Sequence, residues 1–456
     1  LVLSPVLDPF VQHNPFTVSA RIALDHALPA AFLNDLFEQH AKVQYCRTLT
    51  FAAVVETMSA VVFRQARSVR DAYQRKLKDA GVSLTALYSK LAGVELATMQ
   101  ALVRQAAVRL RSVLAALAPV TPWVEGLRVK ILDGNSLAGT DHRLAPLRDT
   151  NAAALPGMSL VVYEPEWRLV TDVFPSEDAY TQERTLLPLV LETVQPGDLW
   201  IGDRAFATHA FFRGLYQRGA AFLLREHGHN TVYDVLGDVG KRSKGDTGYI
   251  TEQRIWLHLG EGQGMVARRI TVELFEPTQD GDTHLHLITN VPRPKLTARR
   301  AAELYRNRWH IEHVFLDLTR DLRCEVNTLA YPKAALFGFC TALVGFNVLA
   351  VCKQAVEAEH GCEEAEALSS YALVGDISSG MRALEVLVSA AQSEAWEQAS
   401  AKQVARLLRR VVKGAELWRY RKAERGPKKE KPKKKGSVRE RHVSTARLLP
   451  KGSQAP

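Results

Sequence analysis

The sequence predicts a mixed α/β core set between helical N- and C-terminal regions, on three observations. From Pro29 to about Leu117 apolar residues recur at three- and four-residue offsets, as in Phe32, Leu33, Leu36 and Phe37, and again in Val54, Val55, Met58, Val61 and Val62. After Ala118-Pro-Val-Thr-Pro122 the texture changes to short apolar runs, first clustered and then alternating with helical stretches. From about Leu296 to Val412 the helical offsets return.

Within the N-terminal region, Ser83 reads as the cap of a short helix from Leu84 to Leu91, Gly93 as its stop, and Glu95 as the start of a longer helix. A short helix, a turn and a longer helix suit a helix-turn-helix module, with a plain helical bundle as the alternative. The core offers strands over Leu127 to Leu132, Ser159 to Tyr163, Arg168 to Val173 and Leu199 to Gly202, and helices near Glu183 to Glu192 and Phe206 to Arg218. Residues 221 to 290 are β-rich: Arg254 to Leu259 and Val266 to Phe275 flank Gly260-Glu-Gly-Gln-Gly264, a hairpin turn, and His284 to Thr289 follow. Four regions result: helical 1–120, a core over 121–330 with its β-rich stretch at 221–290, helical 331–412, and a basic tail over 413–456 that reads as disordered.

Composition narrows the function classes. The formal charge is +10, yet residues 406 to 456 carry 18 Lys/Arg against 4 Asp/Glu, so the basicity belongs to the tail. Five cysteines without a C-x-x-C pair support neither a disulfide framework nor a zinc ribbon. The N-terminus has no basic segment followed by an apolar core, so a cytoplasmic location is expected. Ala334 to Cys352 is free of charge but holds Thr341, Asn347 and two glycines, and reads as a buried core helix rather than a membrane span.

The chemistry sits in three places. Tyr305, Arg308 and Glu312 occur in Leu304-Tyr-Arg-Asn-Arg-Trp-His-Ile-Glu-His-Val-Phe315 at relative spacing 0, 3 and 7, which on one uninterrupted helix stacks them along one face. Asp133 ends Val129-Lys-Ile-Leu-Asp133-Gly-Asn, and Asp203 ends Leu199-Trp-Ile-Gly-Asp203-Arg-Ala-Phe, each a carboxylate delivered by an apolar strand. Taken singly, Asp133-Gly reads as a turn and Asp203 as a helix cap. Taken together they suit phosphodiester cleavage, in which two divalent ions roughly 3.5 to 4 Å apart ionise the attacking group and stabilise the leaving oxygen. His310 and His313, at i, i+3, could bind a metal but read as packing or DNA-facing residues beside the stronger motif; His227-Gly-His229 and His284-Leu-His286 lack partner ligands at metal-binding spacing, and Asp280-Gly-Asp282 reads as a turn.

In these motifs the chain resembles the DDE transposases of bacterial insertion sequences, in the family named after insertion sequence four. That family's signature is Tyr, two residues, Arg, three residues, Glu, six residues, Lys. Tyr305, Arg308 and Glu312 match it; the fourth position falls on Thr319, with Arg320 beside it as the substitute for lysine. The resemblance implies an RNase H-like core with the first aspartate on its first strand, the second on its fourth and the glutamate on a following helix. A β-rich insertion would fill the 109 residues between Asp203 and Glu312. It further implies Asp133, Asp203 and Glu312 as catalytic ligands of two Mg²⁺ ions, replaceable by Mn²⁺, with Asp133 bridging both. Tyr305, Arg308 and Arg320 would grip phosphate. The implied activity is cut-and-paste transposition by a nucleoid-associated bacterial protein, acting as a homodimer on terminal inverted repeats and target double-stranded DNA, with no membrane partner. The rival reading is a transposase-derived, sequence-specific DNA-binding protein that no longer cuts.

Overall fold

A computed structural model describes residues 3–44, 48–278, 281–423 and 442–449. The core begins with β1 (Arg128–Ser136), β2 (Ala154–Leu155), β3 (Met158–Glu164), β4 (Leu169–Ser176), β5 (Asp198–Gly202) and β6 (Ala221–Arg225). In the main sheet the order is β4-β3-β1-β5-β6, with β1, β3 and β4 antiparallel in sequence and β5 and β6 parallel to β1. This is an RNase H-like arrangement: the first strand is central and the chain crosses over to add parallel strands on its far side.

The β-rich stretch does not stand apart. Residues 221–225, expected to open the insertion, form β6, the fifth strand of the core. Strands β7 (Tyr233–Val235), β8 (Ser243–Lys244), β9 (Gly248–Gly260), β10 (Gln263–Leu274) and β11 (His284–Thr289) continue outward from it in the order β6-β11-β10-β9-β7, giving one ten-stranded sheet. The expected hairpin joins β9 to β10. Glu261 and Gly262 at its tip both have positive φ, 54° and 72°, the twist that two-residue hairpins need.

Alternation along β1 sorts the two faces. Val129 and Ile131 join the larger core beneath the helical regions, whereas Leu132 joins a second core with Trp200, Phe211, Phe212 and Phe222. Helices α1 (Phe51–Val62), α2 (Leu84–Gly93) and α3 (Leu96–Leu117) come from the N-terminal region. Ser83 caps α2 as expected, accepting from the Ala86 N–H at 3.1 Å. The longer helix of the expected helix-turn-helix pair is a core element, however: Leu102, Val103, Ala106, Leu110 and Val113 of α3 are all buried. Its polar flank is engaged too, as Arg104 pairs with Asp172 of β4 at 2.7 Å and Arg111 with Glu164 of β3. The helix thus packs as part of the protein's core, held on one flank to the sheet.

After α4 (His209–Gln217), α5 (Ala298–Arg306) and α6 (Trp309–Arg320), the apolar segment forms α7 (Pro332–His360), and 94% of its most apolar window is buried inside the protein. Its buried Asn347 explains the polar residue in an apolar run. The amide accepts from Val170 N–H at 2.8 Å and donates to Val170 C=O at 2.7 Å, completing the backbone of the edge strand β4.

The tail expected to be disordered from 413 onward is folded where it is described. Leu417 and Tyr420 are buried, with the Tyr420 hydroxyl donating to Asp376 at 3.0 Å. Strand β12 (Val443–Ser444) pairs in parallel with β2. Asp178, just beyond β4, accepts from the Ser444 hydroxyl at 2.7 Å and from Arg447 Nε at 2.8 Å. The lysine run at 428–435 lies outside the described residues. Asp178→Ala should therefore release this C-terminal segment: limited trypsin digestion followed by mass spectrometry should show faster cleavage after Arg447 with little change in the melting temperature of the core. Unchanged cleavage would show that the docking does not protect the segment.

Candidate active site

The two aspartates meet because their strands are in register. β1 and β5 run parallel with Ile131 opposite Ile201, so two residues further along Asp133 and Asp203 are neighbours on strands about 4.8 Å apart. Both follow the parity of Val129, Ile131, Leu199 and Ile201, and so they face the helical side of the sheet. Asp133-Gly134 is not a turn: β1 continues to Ser136, with Gly134 opposite Leu160. Asp203 does serve as a cap, accepting from the Arg204 N–H at 2.6 Å over a single 3₁₀ turn, Arg204–Phe206. Gly202 before it is required, since a Cβ there would lie 2.8 Å from the Phe206 ring.

The third element crosses this face, but not as one helix. α5 ends at Arg306 and α6 begins at Trp309; between them Arg308 N–H bonds to Tyr305 C=O and His310 N–H to Asn307 C=O, three residues back instead of four. This tightened joint turns Arg308 inward. Its Nη1 donates to Asp133 Oδ2 at 2.8 Å and its Nη2 to Glu312 Oε1 at 3.3 Å. Arg308 is 8% exposed, with Nε buried and unpartnered, and its guanidinium lies 5.8 Å from the Tyr305 ring. Tyr305 is itself buried, and burial, followed by the nearby Asp203 charge, pushes its phenol well above the usual range. Glu312, in the first turn of α6, remains 42% exposed.

Arg320 is not brought to this cluster. It is paired with Asp321 at 2.6 Å and Asp317 at 3.0 Å, and eight residues of helix separate it from Glu312, about 12 Å. His310 and His313 are exposed and bonded to the helix backbone behind them.

A fourth carboxylate stands at the site that motif spacing did not find. Glu183 Oε1 lies 1.9 Å from where a Cβ on Gly134 would be, so its side chain occupies the space the glycine leaves open. It is half-buried and has no hydrogen bond or ion pair to another described residue. In sequence it is an ordinary acid at the start of a helical pattern; only the fold returns it to β1. Burial, then the charges of Asp133 and Asp203, raise its carboxyl. The same causes act on Asp133, where burial outweighs the attraction of Arg308 and pushes the carboxyl up to about 6.

Asp133, Asp203, Glu183 and Glu312 thus face a single guanidinium. Among the described residues no three His, Cys, Asp or Glu side chains stand close enough to hold a metal ion together, and Arg308 supplies the positive charge between Asp133 and Glu312. In kind, the donors fit a hard divalent cation: they are all carboxylate oxygens, in excess over the positive charge. Binding would require Arg308 to release Asp133.

The stretch that holds this cluster matches a known family model. Residues 126–343 match the family model of the transposase DDE domain. The transposase match thus spans β1 to the middle of α7 and contains Asp133, Glu183, Asp203, Tyr305, Arg308 and Glu312. No curated protein matches the chain. Among solved structures it is similar to piggyBac transposase in a synaptic complex with hairpin DNA, determined by cryo-electron microscopy. That likeness has a TM-score of 0.37 and 9% identity, over 87% of this chain and 85% of that one.

The raised Asp133 carboxyl sets a pH signature. Its value in the fold lies above the ordinary 3.8, so the ionised form costs stability above about pH 6, and the cost disappears as pH falls through 6 toward 4. Asp133→Asn should therefore be more stable than the parent at pH 7.5 in chelator, by on the order of 1–3 kcal/mol, and the two should converge only as pH falls to about 4. Mg²⁺ should raise the parent's melting temperature more than the variant's. A variant less stable at pH 7.5, or stabilised equally by Mg²⁺, would contradict this.

Proposed function

We propose that the protein is a DNA transposase of the insertion-sequence-four type, cutting and joining the ends of its element by cut-and-paste transposition. The observation that carries this reading is that the pairing of β1 with β5 brings Asp133 of β1 beside Asp203, the residue that follows β5, inside the stretch that matches the transposase DDE domain. The rival reading, a DNA-binding protein without activity, gives no account of carboxylates kept half-buried against one another at a cost to stability.

Asp133, Asp203 and Glu312 would hold the divalent cations, Mg²⁺ or Mn²⁺, with Glu183 beside them. Such ions supply the charge that ionises an attacking water or hydroxyl and stabilises the leaving oxygen. The chain's own residues do the rest. Arg308 pairs with Asp133 and Glu312, and its planar guanidinium, with two N–H groups to offer, would grip a phosphate oxygen at the same place. Tyr305 walls the guanidinium from below and keeps water from it. Gly134 and Gly202 let Glu183 and the Asp203 turn approach the strands closely. Target and terminal repeats would be double-stranded DNA, bound by a homodimer.

Asp133→Asn, Asp203→Asn and Glu312→Gln should each abolish Mg²⁺-dependent cutting in a plasmid or end-cleavage assay while leaving DNA binding within a few fold. Full cutting by any one removes that residue from the assignment. Arg308→Lys should be more active than Arg308→Ala yet below the parent, because an ammonium cannot bridge two acceptors in a plane. Equal activity of the two variants would reduce Arg308 to structure alone.

A further inference from the structure

Away from the carboxylates, the outer half of the sheet and the segment leading into α5 enclose a cavity of about 840 Å³. Its lining is strongly basic. Arg254 of β9 and Arg268 of β10 are direct cross-strand partners in the floor, and Lys241 and Arg293 stand in the walls. Like charges placed opposite one another on neighbouring strands are destabilising unless something compensates them.

The compensation within the protein is partial. Arg268 is nine-tenths buried and donates to Glu252 at 2.7 Å and to the carbonyls of Val291 and Leu296 at 2.7 and 2.8 Å, but its Nη2 is buried without a partner. Arg254, Lys241 and Arg293 are exposed, and none has an ion pair or side-chain hydrogen bond to another described residue. Glu252 is already committed to Arg268, which leaves Asp238 as the one other acid in the lining. The cavity therefore holds an excess of positive charge that an anion would satisfy.

We propose that this cavity is a docking site for backbone phosphates of double-stranded DNA flanking the cut; the proposal rests on the transposase reading above. No aromatic side chain lines the cavity among the described residues, so a base would find nothing to stack on, whereas a phosphate needs only the cations. The location suits a flank. Thr297 in the cavity wall caps α5, which runs to Tyr305 at the active site, eight residues or about 12 Å further on. At about 3.4 Å per nucleotide along one strand, that corresponds to three or four nucleotides.

The test uses the full chain with Lys241→Gln, Arg254→Gln and Arg293→Gln combined, all exposed positions outside the catalytic cluster. Its affinity for duplex DNA is measured by fluorescence anisotropy across a range of salt concentrations, with circular dichroism as the check on folding. The variant should bind at least tenfold more weakly at low salt. Its plot of log K against log salt should be shallower by about 0.9 for each phosphate no longer neutralised, roughly 2–3 in all. Lys402→Gln, Arg406→Gln and Arg410→Gln combined remove the same charge from another face and should change the slope far less. An unchanged slope in the cavity variant, or an equal change in the control, would overturn the proposal and leave the transposase reading intact. A parent protein that neither binds nor cuts DNA would instead defeat the transposase reading, and this proposal with it.

Discussion

The parallel pairing of β1 with β5 is the constraint from which the rest of the site follows. Hydrogen bonding fixes Ile131 opposite Ile201, and the two-residue period of a strand then leaves Asp133 and Asp203 no choice but to share a face. A slip of one residue would turn one carboxylate into the aromatic core on the other side. The register is anchored at the opposite end of the same strands, where Asp198, fully buried, pairs with Arg128 at 2.9 Å and Lys130 at 3.1 Å. A salt-bridged carboxylate at the start of β5 thus sets the position of the capping one just past its end.

Placing these groups together leaves an electrostatic debt that the protein settles locally with Arg308. A buried guanidinium between two carboxylates is tolerable only when its hydrogen bonds are well made, and here one nitrogen remains orphaned. The cluster is therefore poised rather than satisfied. The tightened joint between α5 and α6 makes this possible, since a regular helix would carry Arg308 and Glu312 along the same face at the same depth, while the three-residue hydrogen bonds drive the arginine inward and leave the glutamate at the rim.

Much of this was legible in the sequence, and the parts that were not share a cause. Short apolar runs located β1, β3, β4, β5 and β11, and the carboxylates near the ends of two of them stood out only in combination with Tyr305, Arg308 and Glu312, since each alone has an ordinary structural use. The glycine-flanked hairpin was legible because turn chemistry is local. What escaped was set by neighbours distant in sequence. Glu183 reaches Asp133 only through the return of the chain after β4, and α3 becomes a core helix only because the sheet and α7 cover it. Arg320 resembled a ligand by adjacency to Thr319, whereas its real partners are the aspartates three residues before it and one after it. The described part of the tail was hidden because composition averages over segments: a lysine-rich run conceals a short sequence that pairs with β2.

The Asn347 amide on the edge of β4 has a further consequence. A sheet of ten strands has two margins, and an uncovered margin invites another chain to extend it. On the β4 side the buried amide of α7 takes the N–H and C=O of Val170, so the backbone there offers an incoming strand no grip at that residue. On the far side the last strand is only the three residues Tyr233–Val235, too short a template for stable addition. One asparagine in an otherwise apolar helix thus helps to guard a wide, strand-rich protein against joining its neighbours sheet to sheet.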